Sequence, residues 1–180
     1  MKTQDDLWQK LREEAQQHAK SEPILASFLH ASILNHGSLS CALSYTLASK
    51  LDSNTANALT LREVIEAAHK AAPKMVSSAH CDIIAFFERD SACKDYSTPL
   101  LFYKGYQALQ AHRVSHWLWN AGRLDMALFF QSRISEVFGI DIHPAATLGA
   151  GIMLDHGTGI VIGETAQVGN NVSIMQSVTL

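Results

Sequence analysis

Residues 141–180 read DIHPAATLGAGIMLDHGTGIVIGETAQVGNNVSIMQSVTL, and the spacing inside that stretch decides the fold. Aliphatic side chains recur six apart at Ile142, Leu148, Leu154 and Ile160, then again at Ile162, Val168, Ile174 and Leu180. Glycine follows directly at Gly149, Gly163 and Gly169, and four positions on from the aliphatics stand Ala146, Ile152, Thr158, Ala166, Val172 and Val178. A period of six fits neither the 3.6 of a helix nor the alternation of an open strand. It fits a β-helix, in which each hexapeptide forms one short side of a triangular coil, the aliphatic facing inward and the small residue easing the corner. Ordinary buried strands with glycine turns would alternate at two. The two series are out of phase by two residues, and the slip falls within Leu154–Ile162. Irregularities of that kind in a solenoid are where a loop leaves the coil and functional groups gather.

Working outward, the chain up to about Phe138 reads as helix. Leu7, Leu11, Glu14 and Ala15 open an amphipathic segment that Pro23 interrupts. Ile24, Phe28, Ala31 and Ile33 form a second, stopped by Asn35-His36-Gly37, and Leu39–Leu51 a third. Thr60-Leu61-Arg62-Glu63 spells a capping box before Val64, Ile65 and Ala68. Two longer segments run from about Pro99 to Asn120 and from about Gly122 to Phe138, with a large aromatic and aliphatic face. The expected class is α+β, with an all-α assembly domain over residues 1–139 and a partial parallel β-helix over 140–180.

Bulk properties exclude several classes. The 180 residues are 47% hydrophobic and 17% charged, with net charge −3, so nothing attracts the chain to nucleic acid or an anionic membrane. The opening MKTQDDLWQKLREEAQQ lacks the apolar core of a signal peptide, and no apolar run reaches membrane-spanning length. Cys41, Cys81 and Cys93 are odd in number and form no CxxC pair, which reads as reduced packing thiols in a cytoplasmic protein.

Chemistry concentrates around the slip, in Asp141-Ile142-His143-Pro144 and Asp155-His156-Gly157. Histidine is the natural base near neutral pH, and a carboxylate can fix its tautomer and stabilise the imidazolium. Asp141 and His156 stand fifteen apart, almost one eighteen-residue coil, and stacked coils lie about 4.8 Å apart. They are either a dyad on adjacent coils or two exposed corner residues, the aspartate capping a turn. His112 and His116 share a helix face, yet Arg-Val-Ser separates them and no third ligand is evident, so packing or helix–helix hydrogen bonding is expected and no metal site.

These blocks, with REVIEAAHKAAPKM, EPILASFLHA and RDSACKDYSTPLLFYKGYQALQAHRVSHWLWNAGR upstream, resemble bacterial serine O-acetyltransferases of the hexapeptide-repeat class over essentially the whole chain. The resemblance implies a left-handed β-helix and transfer of an acetyl group from acetyl-CoA, as co-substrate, to the hydroxyl of L-serine, the first step of cysteine biosynthesis. It implies no prosthetic group. By motif, His156 matches the general base and Asp141 its partner, while Asp155 and Asp90 match carboxylates that hold serine. It further implies a dimer of trimers with active sites between subunits, and feedback inhibition by L-cysteine. In the family the coil continues through a Gly-Gly-Thr-Gly-Lys loop, an Arg-His pair, coils that grip coenzyme A and a tail that docks on O-acetylserine sulfhydrylase. None of these precedes Leu180, so the expectation is a truncated, weakly active or inactive chain whose cofactor-binding residues lie beyond it. Other readings are an acetyltransferase for another small acceptor, a γ-carbonic-anhydrase-type zinc hydratase with His143 and His156 as ligands, and a non-catalytic oligomerisation module.

Overall fold

A computed structural model describes residues 3–180. Helix α1 (Gln4–Ser21) opens on a capping box that the sequence reading missed. The Thr3 hydroxyl accepts the Asp6 N–H and the Asp6 carboxylate accepts the Thr3 N–H. Pro23 then ends the helix as expected, but the next segment is not one helix. It is a 3₁₀ turn (Pro23–Leu25), a single α turn, α2 (Ala26–Leu29), and a π turn (His30–Leu34).

Helix α3 (Leu39–Leu51) starts on Ser38, whose hydroxyl accepts the Cys41 N–H. Helix α4 (Ala58–Ala71) starts earlier than the Thr60–Glu63 box suggested. Asn57 Oδ1 accepts the Thr60 N–H and Asp52 Oδ1 the Ala58 N–H, so the first free amides find partners before Thr60 is reached. After α5 (Lys74–Arg89), the long segment from Pro99 divides into α6 (Ser97–Phe102) and α7 (Lys104–Asn120). The break is Tyr103, in extended backbone at φ −88° and ψ 107°. Helix α8 (Leu124–Phe138) closes on Gly139 in the left-handed region, φ 66°, where glycine carries no Cβ penalty.

Six short strands follow: β1 (Ile140–Ile142), β2 (Thr147–Leu148), β3 (Met153–Leu154), β4 (Ile160–Ile162), β5 (Gln167–Val168) and β6 (Ser173–Ile174). They pair in parallel as β1–β4, β2–β5 and β3–β6, giving three two-stranded faces. The registers Ile140↔Ile160, Thr147↔Gln167 and Met153↔Ser173 are each offset by twenty residues. The next bridge, Val161↔Thr179, returns to eighteen. The first coil is therefore two residues longer than a regular one, and the surplus lies where the phase slips. Inward-facing Ile140, Ile142, Ile152, Leu154, Ile160, Ile162 and Ile174 are buried.

Element type changes at Gly139, yet the core does not divide there. One apolar cluster runs from α3, α4, α7 and α8 straight into the coil, and a second gathers α1, α2, α5 and α6 around Tyr106. Polar side chains seal the joint. Asp82 on α5 is fully buried and accepts from Arg113 Nη2 (2.7 Å), Gln110 Nε2 (2.9 Å) and the Ile152 N–H (2.8 Å). Arg113 in turn donates to the carbonyls of Leu148 and Gly149. At the start of α7, a Cβ on Gly105 would stand 1.9 Å from the Leu154 carbonyl oxygen, so only glycine lets this helix rest on β3.

Candidate active site

The two surplus residues swell the segment after β3 into a loop, Asp155–Gly159. His156 takes the left-handed conformation at φ 55°, flanked by Gly157 and Gly159 at φ 75°. The loop is held by Gly157 N–H on the Asp155 carbonyl (2.6 Å) and Gly159 N–H on the Gly139 carbonyl (2.8 Å). Lys104 Nζ donates to Thr158 Oγ1, tying it to the first residue of α7. Strain of this kind in a non-glycine residue marks a position that the surroundings over-determine.

The loop forms one wall of a cavity of about 370 Å³. Asp155 and His156 face Asp90 from the end of α5 and Tyr103 and Lys104 from the α6–α7 break, over a floor of Phe86. Asp90 caps α5 and accepts the Ala92 N–H at 2.8 Å. Burial first, then the Asp90 carboxylate, push the Tyr103 phenol well above its ordinary range, so it remains a donor at neutral pH. Cys93 nearby is pushed up to about 11 by burial and Asp90, which leaves it a thiol and no nucleophile. His156 is the open group here: its side chain is 70% exposed and its Nε2 lies 3.7 Å from Asp155 Oδ2. Two carboxylates and an accessible imidazole around one hollow can seat an ammonium group and take a proton from a neighbouring hydroxyl.

Three of the four residues singled out in the sequence thus meet: Asp90, Asp155 and His156. Asp141 does not join them in this chain. Its register partner is Val161, beyond the loop, because the coil is twenty residues long at this level. The Asp141 carboxylate accepts from Gln131 Nε2 at 2.7 Å, in a separate hollow along α8 with Leu128 and Ser135. Among the described residues no hydrogen bond or ion pair links Asp141 to His156. Tyr103 and Lys104 escaped the sequence reading, since they fall inside what looked like one helix; only the helix break exposes them.

His116 and His143 are bonded into the fold. His116 Nδ1 donates to the Pro144 carbonyl (2.7 Å) while its Nε2 faces Asn120 Nδ2 (2.9 Å), and His143 Nδ1 accepts the Ala145 N–H. The His116 contact stitches α7 to the first corner of the coil, and the His143 contact holds that corner itself. Among the described residues no group of three His, Cys, Asp or Glu side chains is placed to hold a metal ion. Nor is any helix long and apolar enough to cross a membrane.

Comparison with known proteins gives a consistent picture. The model of the family described as "Serine acetyltransferase, N-terminal" matches residues 7–111. The serine acetyltransferase of Escherichia coli K12 is 56% identical over 174 residues, covering 97% of this chain and 64% of that protein. The chain therefore spans somewhat less than two thirds of that curated relative. A solved serine acetyltransferase in complex with CoA superposes with TM-score 0.97 at 50% identity, over 99% of this chain and 76% of that one. The serine acetyltransferase of Neisseria gonorrhoeae in complex with serine gives 0.96 at 51% identity, over 97% and 73%. Agreement at this level over both halves makes the coil a left-handed parallel β-helix.

Proposed function

The chain belongs to the serine acetyltransferase family, and from that membership we propose that it carries out acetyl transfer from acetyl-CoA to the hydroxyl of L-serine. The observation that carries this reading is the convergence of Asp90, Asp155 and His156 on one cavity, from α5 and the β-helix loop. Similar proteins hold CoA and serine, and the cavity suits the smaller of these. Asp90 and Asp155 seat the serine ammonium, and His156 takes the hydroxyl proton as the serine oxygen attacks the thioester carbonyl. The new C–O bond forms, the C–S bond breaks, and the departing thiolate recovers the proton from the imidazolium. Both Asp90 and Tyr103 reach the cavity from the helical half, so that half serves binding as well as assembly.

Asp141 acts as the partner of His156 in this proposal; because the two line separate hollows of one chain, the contact is made across a subunit boundary of the trimer. The protein assembles as a dimer of trimers. Two separate apolar surfaces support two kinds of contact: Ile24 (88% exposed), Leu25 and Phe28 at the helical end, and Leu124 and Leu128 on α8 beside Asp141. Cysteine occupies the serine pocket as inhibitor, its carboxylates and base being suited to either amino acid, and the three free thiols fit a reducing cytoplasm.

The test is to graft this chain in place of the matched segment of the Escherichia coli relative and assay acetyl-CoA consumption with L-serine, L-threonine, L-homoserine and ethanolamine. Preference for L-serine supports the assignment. Turnover with ethanolamine equal to that with serine would point to a different acceptor.

A further inference from the structure

Tyr103 takes no part in the chemistry assigned so far, yet it lines the His156 cavity at the break between α6 and α7. Its placement is fixed by backbone and ring alike. The backbone N–H donates to the Pro99 carbonyl (3.2 Å) and the carbonyl accepts the Gln107 N–H (3.1 Å), so both helices hold it. The ring stands edge-on to Phe86, with centroids 5.5 Å apart, and Phe86 is buried. From there the hydroxyl reaches the Asp90 carboxylate and hydrogen-bonds to it. Asp90 also accepts the Ala92 N–H through Oδ1 at 2.8 Å. Two donors thus hold a carboxylate that would otherwise turn freely at the end of α5.

Among the described side chains lining the cavity, the hydrogen-bond acceptors are Asp90, Asp155, His156 and Tyr103. Lys104 can only donate, and its Nζ is engaged by Thr158. A substrate hydroxyl claims His156. That leaves Asp90, Asp155 and the phenol, and a primary ammonium carries three N–H donors. Burial, then the Asp90 carboxylate, hold the phenol well above its ordinary range, so it stays protonated at neutral pH. A phenol that donates its proton to Asp90 keeps its oxygen lone pairs for an incoming donor. The Cys93 thiol, which also meets the phenol, directs its one proton to the Asp95 carbonyl at 3.4 Å.

We infer that Tyr103 is a specificity-determining residue of the acceptor site: its hydroxyl fixes Asp90, and its oxygen is the third acceptor for the ammonium group of an amino-acid substrate. The three acceptors together favour a primary ammonium over a hydroxyl or a hydrogen on the same carbon. This rests on the transferase reading and adds to it the group that selects an amino acid among small alcohols.

Tyr103→Phe in the grafted enzyme is the test, because it keeps the ring and its contact with Phe86. KM for L-serine should rise at least about tenfold, the worth of a hydrogen bond to a charged group, while kcat stays within about twofold. 3-Hydroxypropionate has the hydroxyl and the carboxylate but no ammonium, and its inhibition constant against L-serine should not change. A loosened fold would weaken both ligands together. Equal weakening of the two would therefore make Tyr103 merely structural, and an unchanged KM for L-serine would leave Asp90 and Asp155 to seat the ammonium alone. Either result overturns the inference while the transferase reading stands. A grafted parent that fails to acetylate L-serine would end that reading and this inference with it.

Discussion

The joint between α7 and the coil and the loop that carries His156 adjoin at Leu154 but are built on opposite terms. At the joint, buried side chains bond across the two halves: Asp82 accepts three hydrogen bonds, Arg113 spans to two carbonyls, and Gly105 allows backbone contact with Leu154. The loop keeps its imidazole 70% exposed on a left-handed backbone, fastened mainly through main-chain bonds and Lys104. Stability and reactivity are thereby separated. The joint fixes where Asp90 and the loop stand relative to each other, and the loop leaves the imidazole proposed as the base open to the cavity.

The sharpest way to break this contrast is at the joint. Asp82→Ala leaves Arg113 charged and buried without its partner, and should cost about 3–5 kcal/mol in urea unfolding. A loss under 1 kcal/mol would mean that the joint is not held by this pair. Gly105→Ala should follow at several kcal/mol, since the Leu154 carbonyl is backbone and cannot give way cheaply; a crystal structure with α7 displaced from β3 would show how the strain is relieved.

Acid offers a graded version of the same test. Burial holds His69 down to about 4 and His112 down to about 3, from an ordinary 6.5. Below pH 6.5 the unfolded chain protonates both residues while the folded chain does not, so the unfolded state binds more protons and stability falls on acidification. The loss begins near pH 6.5, continues until the folded values are reached, and amounts to about 2 kcal/mol per histidine at pH 5. Urea melts at pH 7.5 and 5.0 would measure it, and His69→Gln/His112→Gln should flatten the profile. An unchanged profile in that variant would assign the acid sensitivity elsewhere. On the loop side, Lys104→Met should lower the melting temperature only slightly, removing about 1 kcal/mol, and raise the KM of the grafted enzyme for serine by letting the His156 loop drift. A KM indistinguishable from the parent would show that the main-chain bonds alone place the loop.

Much of the architecture was legible because solenoid and helix periods are local properties. The six-residue spacing located the coil, and the slip in Leu154–Ile162 located the loop on which His156 and Asp155 sit. Asp155 and His156 stand together for that reason, whereas Asp90 was named only through the family resemblance. What escaped had two causes. The start of α4 is settled by Asp52 and Asn57, local caps that compete with the box at Thr60, and the break at Tyr103 precedes Gly105, whose approach to Leu154, distant in sequence, no local pattern reveals. Spacing left Asp141 either beside His156 or apart from it at a corner, and in this chain the twenty-residue register sets it opposite Val161 and beside Gln131 on α8. A fifteen-residue separation says little about contact when the length of the intervening coil is unknown.

The central claim is that the loop histidine works chemically without working structurally, and His156→Ala in the grafted enzyme tests it in one comparison. Because the side chain is exposed and makes no buried contact, the melting temperature should stay within a degree or two of the parent. Turnover with serine and acetyl-CoA should fall by roughly 10²–10⁴-fold, the usual worth of a general base. A variant that keeps its kcat, or that loses activity only because it unfolds, would contradict the account.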